Sequence, residues 1–311
     1  MSLQNKRQPL IIILGPTAVG KTEISLRLAA SLGGEIISSD SRLFYRGMDI
    51  GTAKPSPAEQ ARIPHHLVDV ANPDQVWSLA MFLGAAHQII ADIHARGKLP
   101  FLVGGTGQYI RAIVDDWQLP EVQPDPKLRV ALERWADEIG TPALYSRLMS
   151  IDPSAAARID SLNLRRIVRA LEVILSSGQL FSTQKGHGES PYEIIQLGLI
   201  RPRKELYERV DARIEQMLDK GLLEETKALL DRGYSPDLPP LSAIGYQQMI
   251  YHLNGEISLE EVVTQMKRTT RRFVRKQANW FKADDPKINW FQAGSDTAEL
   301  METKILELLN R

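Results

Sequence analysis

A parallel α/β sheet interrupted by a helical insertion is the fold class that this sequence predicts, and three observations carry the expectation. Short apolar runs ending in glycine or aspartate alternate with stretches of helical period. The first run leads into "GPTAVGKT", residues 15–22, which has the phosphate-loop spacing G-x-x-x-x-G-K-[ST]. Near Trp117 the chain turns polar and helical, and a strand-like run resumes only at Tyr192.

Taken in order, "LIIILG" is a continuous apolar run and reads as a strand buried on both faces. "TEISLRLAASLGG" spaces Ile24, Leu28 and Leu32 four apart and exits at Gly33 and Gly34, which predicts a helix. "EIISSD" is a second strand with Asp40 at its carboxyl end, and "HHLVDV" a third. "SLAMFLGAAHQIIADIHARGK" predicts a helix capped by Ser78 and closed at Gly97, with Phe82, Ala86, Ile89, Ile90 and Ile93 as its apolar stripe. "LPFLVGGTG" is a strand running into a glycine-rich turn, and "QYIRAIV" starts the next helix. In an open parallel sheet, ligands meet the carboxyl ends of the strands. Asp40 and the turn Gly104-Gly105-Thr106 therefore belong on one rim with the phosphate loop. The proline-rich "QLPEVQPDP" marks a boundary, so the expected division is a phosphate-loop core at 1–118 and 191–311 and a helical insertion at 119–190.

Composition narrows the function. The 311 residues, 43% of them apolar, can bury a sizeable core. Thirty-eight basic residues balance 38 acidic ones, which argues against a uniformly basic coat for nucleic acid or membrane and directs attention to local charge. There is no cysteine, so neither disulfides nor thiolate-held zinc can occur. No apolar stretch reaches the ~18 residues of a membrane span. The expectation is a soluble cytoplasmic monomer.

The phosphate loop is the sharpest signal. Gly15 and Gly20 permit the tight turn, the backbone of Pro16, Thr17, Ala18 and Val19 wraps the anion, and Lys21 adds charge. The Thr22 hydroxyl can reach Mg²⁺. The usual ligand of such a loop is ATP or GTP, with an acidic residue at a second strand end holding the metal or orienting a nucleophile. Asp40 and Asp69 both qualify, and Asp69 also reads as a turn residue or cap. Asp40 precedes a long irregular stretch, "SRLFYRGMDIGTAKP", of the sort that carries function beside a phosphate site. Its plainer role is an N-cap or a metal carboxylate. Thr106 either faces the same rim or caps the following helix. The histidines fall in no metal-binding pattern, so no protein-held metal cluster is expected.

Two helices carry clustered cations. "NLRRIVRALEVIL" puts Arg165, Arg166 and Arg169 within one arc, opposite Leu164, Ile167, Val168, Leu171, Ile174 and Leu175. "QMKRTTRRFVRKQANWF" puts Lys267, Arg268, Arg271, Arg272, Arg275 and Lys276 on about half a helical wheel, with Met266, Thr270, Phe273, Val274 and Gln277 on the other half and no acid within the run. Each is a solvated face or a surface for a phosphate-rich polymer, and a membrane-surface helix is a lesser alternative.

Together, "GPTAVGKT", "DSRLFYRGMDIGTAKP", "PHHLVD", "LVGGTGQYI", "NLRRIVRALEV" and "IGYQQM", in that order, resemble the bacterial tRNA dimethylallyltransferases, also called tRNA isopentenyltransferases. The resemblance runs from about Ile11 to Trp290. It implies transfer of a dimethylallyl group from dimethylallyl diphosphate to the exocyclic amine of the adenosine 3′ of the tRNA anticodon, with Mg²⁺. On that reading the loop holds a departing diphosphate, and ATP is not consumed. The family's roles would fall on Asp40 as base and on Thr106 near the reacting centre. Asp40, Ser41, Arg42 and Leu43 would line a tRNA-facing rim. Arg129 and residues 165–169 (Arg165, Arg166, Ile167, Val168, Arg169) would contact tRNA from the insertion. Ser242, Ala243, Ile244, Gly245, Tyr246 and Gln247 would do so from the core, with the basic helix. Arg209 would reach the diphosphate, with Arg213 one helical turn away as its competitor. Ser242 stands where arginine is expected in many relatives. Three rival readings remain open from the residues alone: a prenyltransferase acting on free adenine nucleotides, a small-molecule kinase, and a non-catalytic RNA-binding module.

Overall fold

The structure, a computed structural model, describes residues 7–310 apart from 121, 123 and 185, with residue 187 as backbone only. The chain divides into two compact units, residues 1–114 with 190–311 and residues 115–189.

The strands among the described residues are β1 (Gln8–Leu14), β2 (Gly34–Ser38), β3 (His65–His66), β4 (Leu99–Gly104), β5 (Trp117–Gln118), β6 (Gly186–His187), β7 (Tyr192–Ile200) and β8 (Ile288–Gln292). Six of them form one parallel sheet in the order β3-β2-β4-β1-β7-β8. β1 is central, with Ile11 beside Phe101 of β4 and Ile12 beside Gln196 of β7. Leu10 through Leu14 are wholly buried, as a strand with helices on both faces requires. β1, β2 and β4 deliver the phosphate loop, Asp40 and the Gly104–Thr106 turn to one rim.

Helix Lys21–Ser31 follows the loop, with Gly20 at φ 114° as its N-cap, a backbone conformation that suits glycine. Ile24 and Leu28 are buried, and the chain leaves through Gly33 at φ 65°. Ser78 caps helix Leu79–Ala95 by accepting from the Met81 N–H. The expected third strand is cut short. "HHLVDV" pairs only over His65–His66, because Leu67 and Asp69 take positive φ (58° and 55°) and turn the chain. Asp69 accepts from the Lys54 ammonium at 2.6 Å, fixing the irregular stretch after β2. The turn-residue reading of Asp69 therefore holds. The same stretch is plugged by Phe44, fully buried and stacked on Tyr109 at 5.8 Å between ring centroids.

The second unit carries the hairpin-like pair β5 and β6 and helices Pro126–Ile139, Thr141–Ile151, Pro153–Ala156 and Leu164–Ser177. Asp125, Asp152 and Asn163 cap three of the helices through their side chains. Leu132, Leu144, Leu148, Ile167, Val168 and Leu171 form its core. Leu175, placed on the apolar face by periodicity, is 57% exposed because the helix is in its last turn there.

Candidate active site

The phosphate loop, the end of β2 and the turn after β4 meet as the topology requires. Lys21 donates through Nζ to the carbonyls of Gly15 (3.0 Å) and Pro16 (2.9 Å). Burial lowers its ammonium to about 8. The Asp40 carboxylate opposes that shift and Arg213 adds to it. Asp40 accepts from the Arg42 N–H at 3.0 Å, which orients one of its oxygens and caps the turn that opens the irregular stretch. The Thr106 hydroxyl accepts from the Ser41 N–H at 3.5 Å, and its carbonyl starts helix Gly107–Val114. The two readings of Thr106 are thus compatible: its backbone begins the helix while its hydroxyl faces the rim.

Three adjoining cavities converge here. One of about 440 Å³ is lined largely by apolar groups, including Val210, Ile214, Met217, Met266, Phe273 and Trp280, with Thr17, Asp40, Thr106, Arg213, Lys276 and Gln277 among its polar members. A small one of about 90 Å³ lies among Thr17, Lys21, Thr22, Ser38, Asp40 and Arg213. The third, about 530 Å³, is bordered by Ala18, Gly20, Lys21, Thr22, Arg209 and Arg213. Asp40 lines the first two, Lys21 and Thr22 the last two, and Arg213 all three. An anion near Lys21 and an apolar group beyond Asp40 can therefore belong to one ligand.

Arg213 is the residue that sequence reasoning left in second place. Helix Arg203–Asp219 turns it inward, where Nη2 donates to the Thr52 carbonyl at 3.3 Å. Burial pushes its guanidinium down from the ordinary value, and the Asp40 carboxylate pushes it back. Arg209 donates through Nε to the Ala18 carbonyl at 2.9 Å and lines only the outermost cavity. The resemblance points to Arg209 with Arg213 one helical turn away; the packing separates their depths. Gln277, on the half-wheel opposite the cations, and Trp280, which helical period does not single out, both line the 440 Å³ cavity.

The residues expected to face RNA separate into groups. Ser41, Arg42, Ser242, Ala243 and Ile244 line the apolar cavity, whereas Leu43 borders the small one. Tyr246 has no surface: it is wholly buried, and its hydroxyl donates to Glu225 at 2.6 Å. Glu225 in turn accepts from the backbone N–H groups of Asp49, Ile50 and Gly51. Gly245 begins helix Tyr246–Leu253 at φ 101°, and Gln247 donates to the Tyr251 hydroxyl. Ile167 and Val168 are core residues of the second unit and have no side-chain surface to offer.

The cation clusters are also divided by acidic partners, one of them on the arginine helix itself and two on another helix. Arg129 and Arg169 both bind Glu172, which is completely buried: Arg129 Nε and Nη2 at 2.8 and 2.9 Å, Arg169 Nη1 at 2.7 Å. Burial pushes the Glu172 carboxyl up, but the two guanidinium groups and the Asp125 N–H outweigh it and hold it below its ordinary value. Arg165 and Arg166 are exposed. On helix Leu259–Ala278, Lys267 pairs with Glu215 at 2.8 Å, and Arg271 pairs with Asp211 and lies over the Tyr207 ring. Arg275 donates to the Tyr207 hydroxyl. The acids come from helix Arg203–Asp219, so the face is not uncompensated as its own sequence suggests. Arg268 and Arg272 are exposed, and no acid among the described residues pairs with them.

No helix among the described residues is long and apolar enough to cross a membrane, and no group of three or more His, Asp or Glu among them could hold a metal ion.

Residues 43–284 match the family model described as IPP transferase. A tRNA dimethylallyltransferase of Roseiflexus sp. (strain RS-1) is 53% identical over 88% of this chain and 90% of the relative. The crystal structure of a full-length tRNA isopentenylpyrophosphate transferase from Bacillus halodurans is similar at a TM-score of 0.73 and 41% identity, over 97% of both chains. A eukaryotic dimethylallyltransferase crystallised acting on tRNA matches at a TM-score of 0.83 and 27% identity, over 98% of this chain and 80% of that one. The kinase and plain RNA-binding readings lose their ground, and the chain belongs to the IPP transferase family of tRNA dimethylallyltransferases.

Proposed function

We propose that Asp40 is the general base of this enzyme and that its substrates enter from opposite sides of it. The chain is a prenyltransferase that transfers a dimethylallyl group to tRNA. Its donor is dimethylallyl diphosphate and its acceptor the N6 amine of the adenosine 3′ of the anticodon. The observation that carries this reading is the position of Asp40 and Arg213 on both the apolar and the small polar cavity.

The diphosphate lies along the phosphate loop, against Lys21, Thr22, Arg213 and, at the outer end, Arg209. The prenyl chain points past Asp40 into the apolar cavity. Adenine N6 is a weak nucleophile because its lone pair is delocalised into the ring, and it is inaccessible while the base is stacked, so the base is flipped into the cavity. The N6–carbon bond forms as the carbon–oxygen bond to diphosphate breaks. Asp40 takes the N6 proton, and the backbone amides, Lys21 and Arg213 receive the charge that develops on the leaving oxygens. The Thr22 hydroxyl beside Lys21, with no multidentate cage around it, fits Mg²⁺, which would take its other ligands from substrate phosphate and water. When bound, Mg²⁺ supplies further neutralisation of the leaving group.

Asp40→Asn tests this reading. Single-turnover rates are expected to fall by roughly 10²–10⁴ with tRNA and donor affinity little changed. Rescue by raised Mg²⁺ with a matching loss of diphosphate affinity would make Asp40 a metal ligand instead. A near-wild-type rate at both low and high Mg²⁺ would remove it from the chemistry.

A further inference from the structure

We infer that Gln277, near the end of the basic helix, is a positioning residue that ties the phosphate loop to the turn bearing Thr106. The inference rests on the reaction proposed above. Gln277 is buried, and both ends of its amide are used: Oε1 accepts from the Thr17 N–H at 2.8 Å and Nε2 donates to the Gly105 carbonyl at 3.1 Å. Those groups lie 260 and 172 residues away in sequence, on the loops after β1 and β4. A single carboxamide therefore sets the spacing between a donor-side amide and the acceptor-side turn.

The surroundings leave that amide no other place. A side chain at Gly105 would run into the Gln277 amide, one at Gly107 into the Trp280 ring, and one at Gly104 into Ser39, next to Asp40. The glycines of "GGTG" are thus required by close approach: the turn is pressed between the end of β2 and the last turn of the basic helix. Thr106 stands between Gly105, which Gln277 approaches closely, and Gly107, which Trp280 approaches closely. A carboxamide suits the task because it carries one acceptor and one donor in a plane. Reacting groups misplaced by about 1 Å lose on the order of 10²-fold in rate, so a spacer between the two loops acts on the chemical step.

Two variants test this. Gln277→Met keeps the volume and loses both bonds. Gln277→Glu, when protonated, offers the same acceptor and donor pair; when ionised it opposes the Gly105 carbonyl and the donor diphosphate. Single-turnover transfer to tRNA is measured from about pH 5.5 to 8.5, and inorganic pyrophosphate binding by calorimetry. The expected results are a drop of about 10- to 100-fold for Gln277→Met at every pH, weaker pyrophosphate binding, and a Gln277→Glu to wild-type rate ratio that rises as pH falls. A purely structural side chain would change the unfolding temperature but leave that ratio flat, and a flat ratio with Gln277→Met within twofold of wild type overturns the inference. Wild-type protein that fails to prenylate tRNA would instead overturn the reaction on which it rests.

Discussion

The rim at the carboxyl ends of β1, β2 and β4 and the cation-rich faces of helices Leu164–Ser177 and Leu259–Ala278 respond to tertiary packing in opposite ways. At the rim, function is set by backbone conformation. Gly15 at φ 151° and Gly20 at φ 114° shape the loop, and helix Lys21–Ser31 begins at its end, where the N-terminal N–H groups of a helix favour an anion. Those determinants lie within eight consecutive residues. On the basic faces, function is set by which cations remain unpaired after folding. That depends on Asp211 and Glu215, which no local window associates with Arg271 and Lys267, and on Glu172, which is one turn from Arg169 but 43 residues from Arg129. A charged residue's role is decided by its partners, whereas a phosphate loop brings its own.

The largest effect that would sharpen this contrast is expected at Arg213. Arg213→Ala should lower the single-turnover rate by roughly 10²–10³, the usual cost of losing one preorganised donor to developing charge, with tRNA affinity unchanged in a filter-binding assay. Arg209→Ala, at the outer end, should cost less. Equal losses would mean that the depth of Arg213 has no catalytic meaning.

Next comes Glu172→Gln. It leaves two guanidinium groups without their shared carboxylate. Full burial of such a pair would make the loss 3–5 kcal/mol. Arg129 and Arg169 are partly exposed, so about 2 kcal/mol is expected in a denaturant titration. Stability within 0.5 kcal/mol of wild type would return these arginines to the RNA surface.

A smaller difference should separate two pairs on one helix. Replacing Arg268 and Arg272 with Gln should reduce the salt slope of tRNA binding by about two units, one per lost phosphate contact. Replacing Lys267 and Arg271 should reduce it by less than one, since Glu215 and Asp211 already occupy them. Equal slopes would break the distinction between paired and unpaired cations.

The smallest effect is one of pH. With Lys21 at about 8 in the free protein, its positive charge is complete well below that value and is lost as pH rises through it. Pyrophosphate affinity should therefore decline above about pH 8, and Lys21→Arg should move that decline upward. A decline unchanged in Lys21→Arg would assign it to a group other than Lys21.

Much of this was legible in the sequence because period and punctuation are local. The central strand, the helix after the loop, the cap at Ser78 and the position of Asp40 follow from apolar runs and their glycine or serine boundaries. "HHLVDV" misled because alternation cannot reveal the positive φ at Leu67 and Asp69, which Lys54 stabilises from 15 residues away. Tyr246 misled because it lies in a motif stretch yet serves Glu225 and the backbone of residues 49–51. Gln277 was invisible as a site residue because one polar position on an amphipathic helix carries no signal until the two loops it joins are known.

The most direct test of the account as a whole is transfer from dimethylallyl diphosphate labelled in its prenyl carbons, with tRNA, free adenine nucleotide or neither as acceptor, followed by nucleoside analysis. The account predicts label on N6 of the adenosine 3′ of the anticodon, one diphosphate released per transfer, and no consumption of ATP. Label on free adenine nucleotide in preference to tRNA, or a product that gains phosphate, would contradict it.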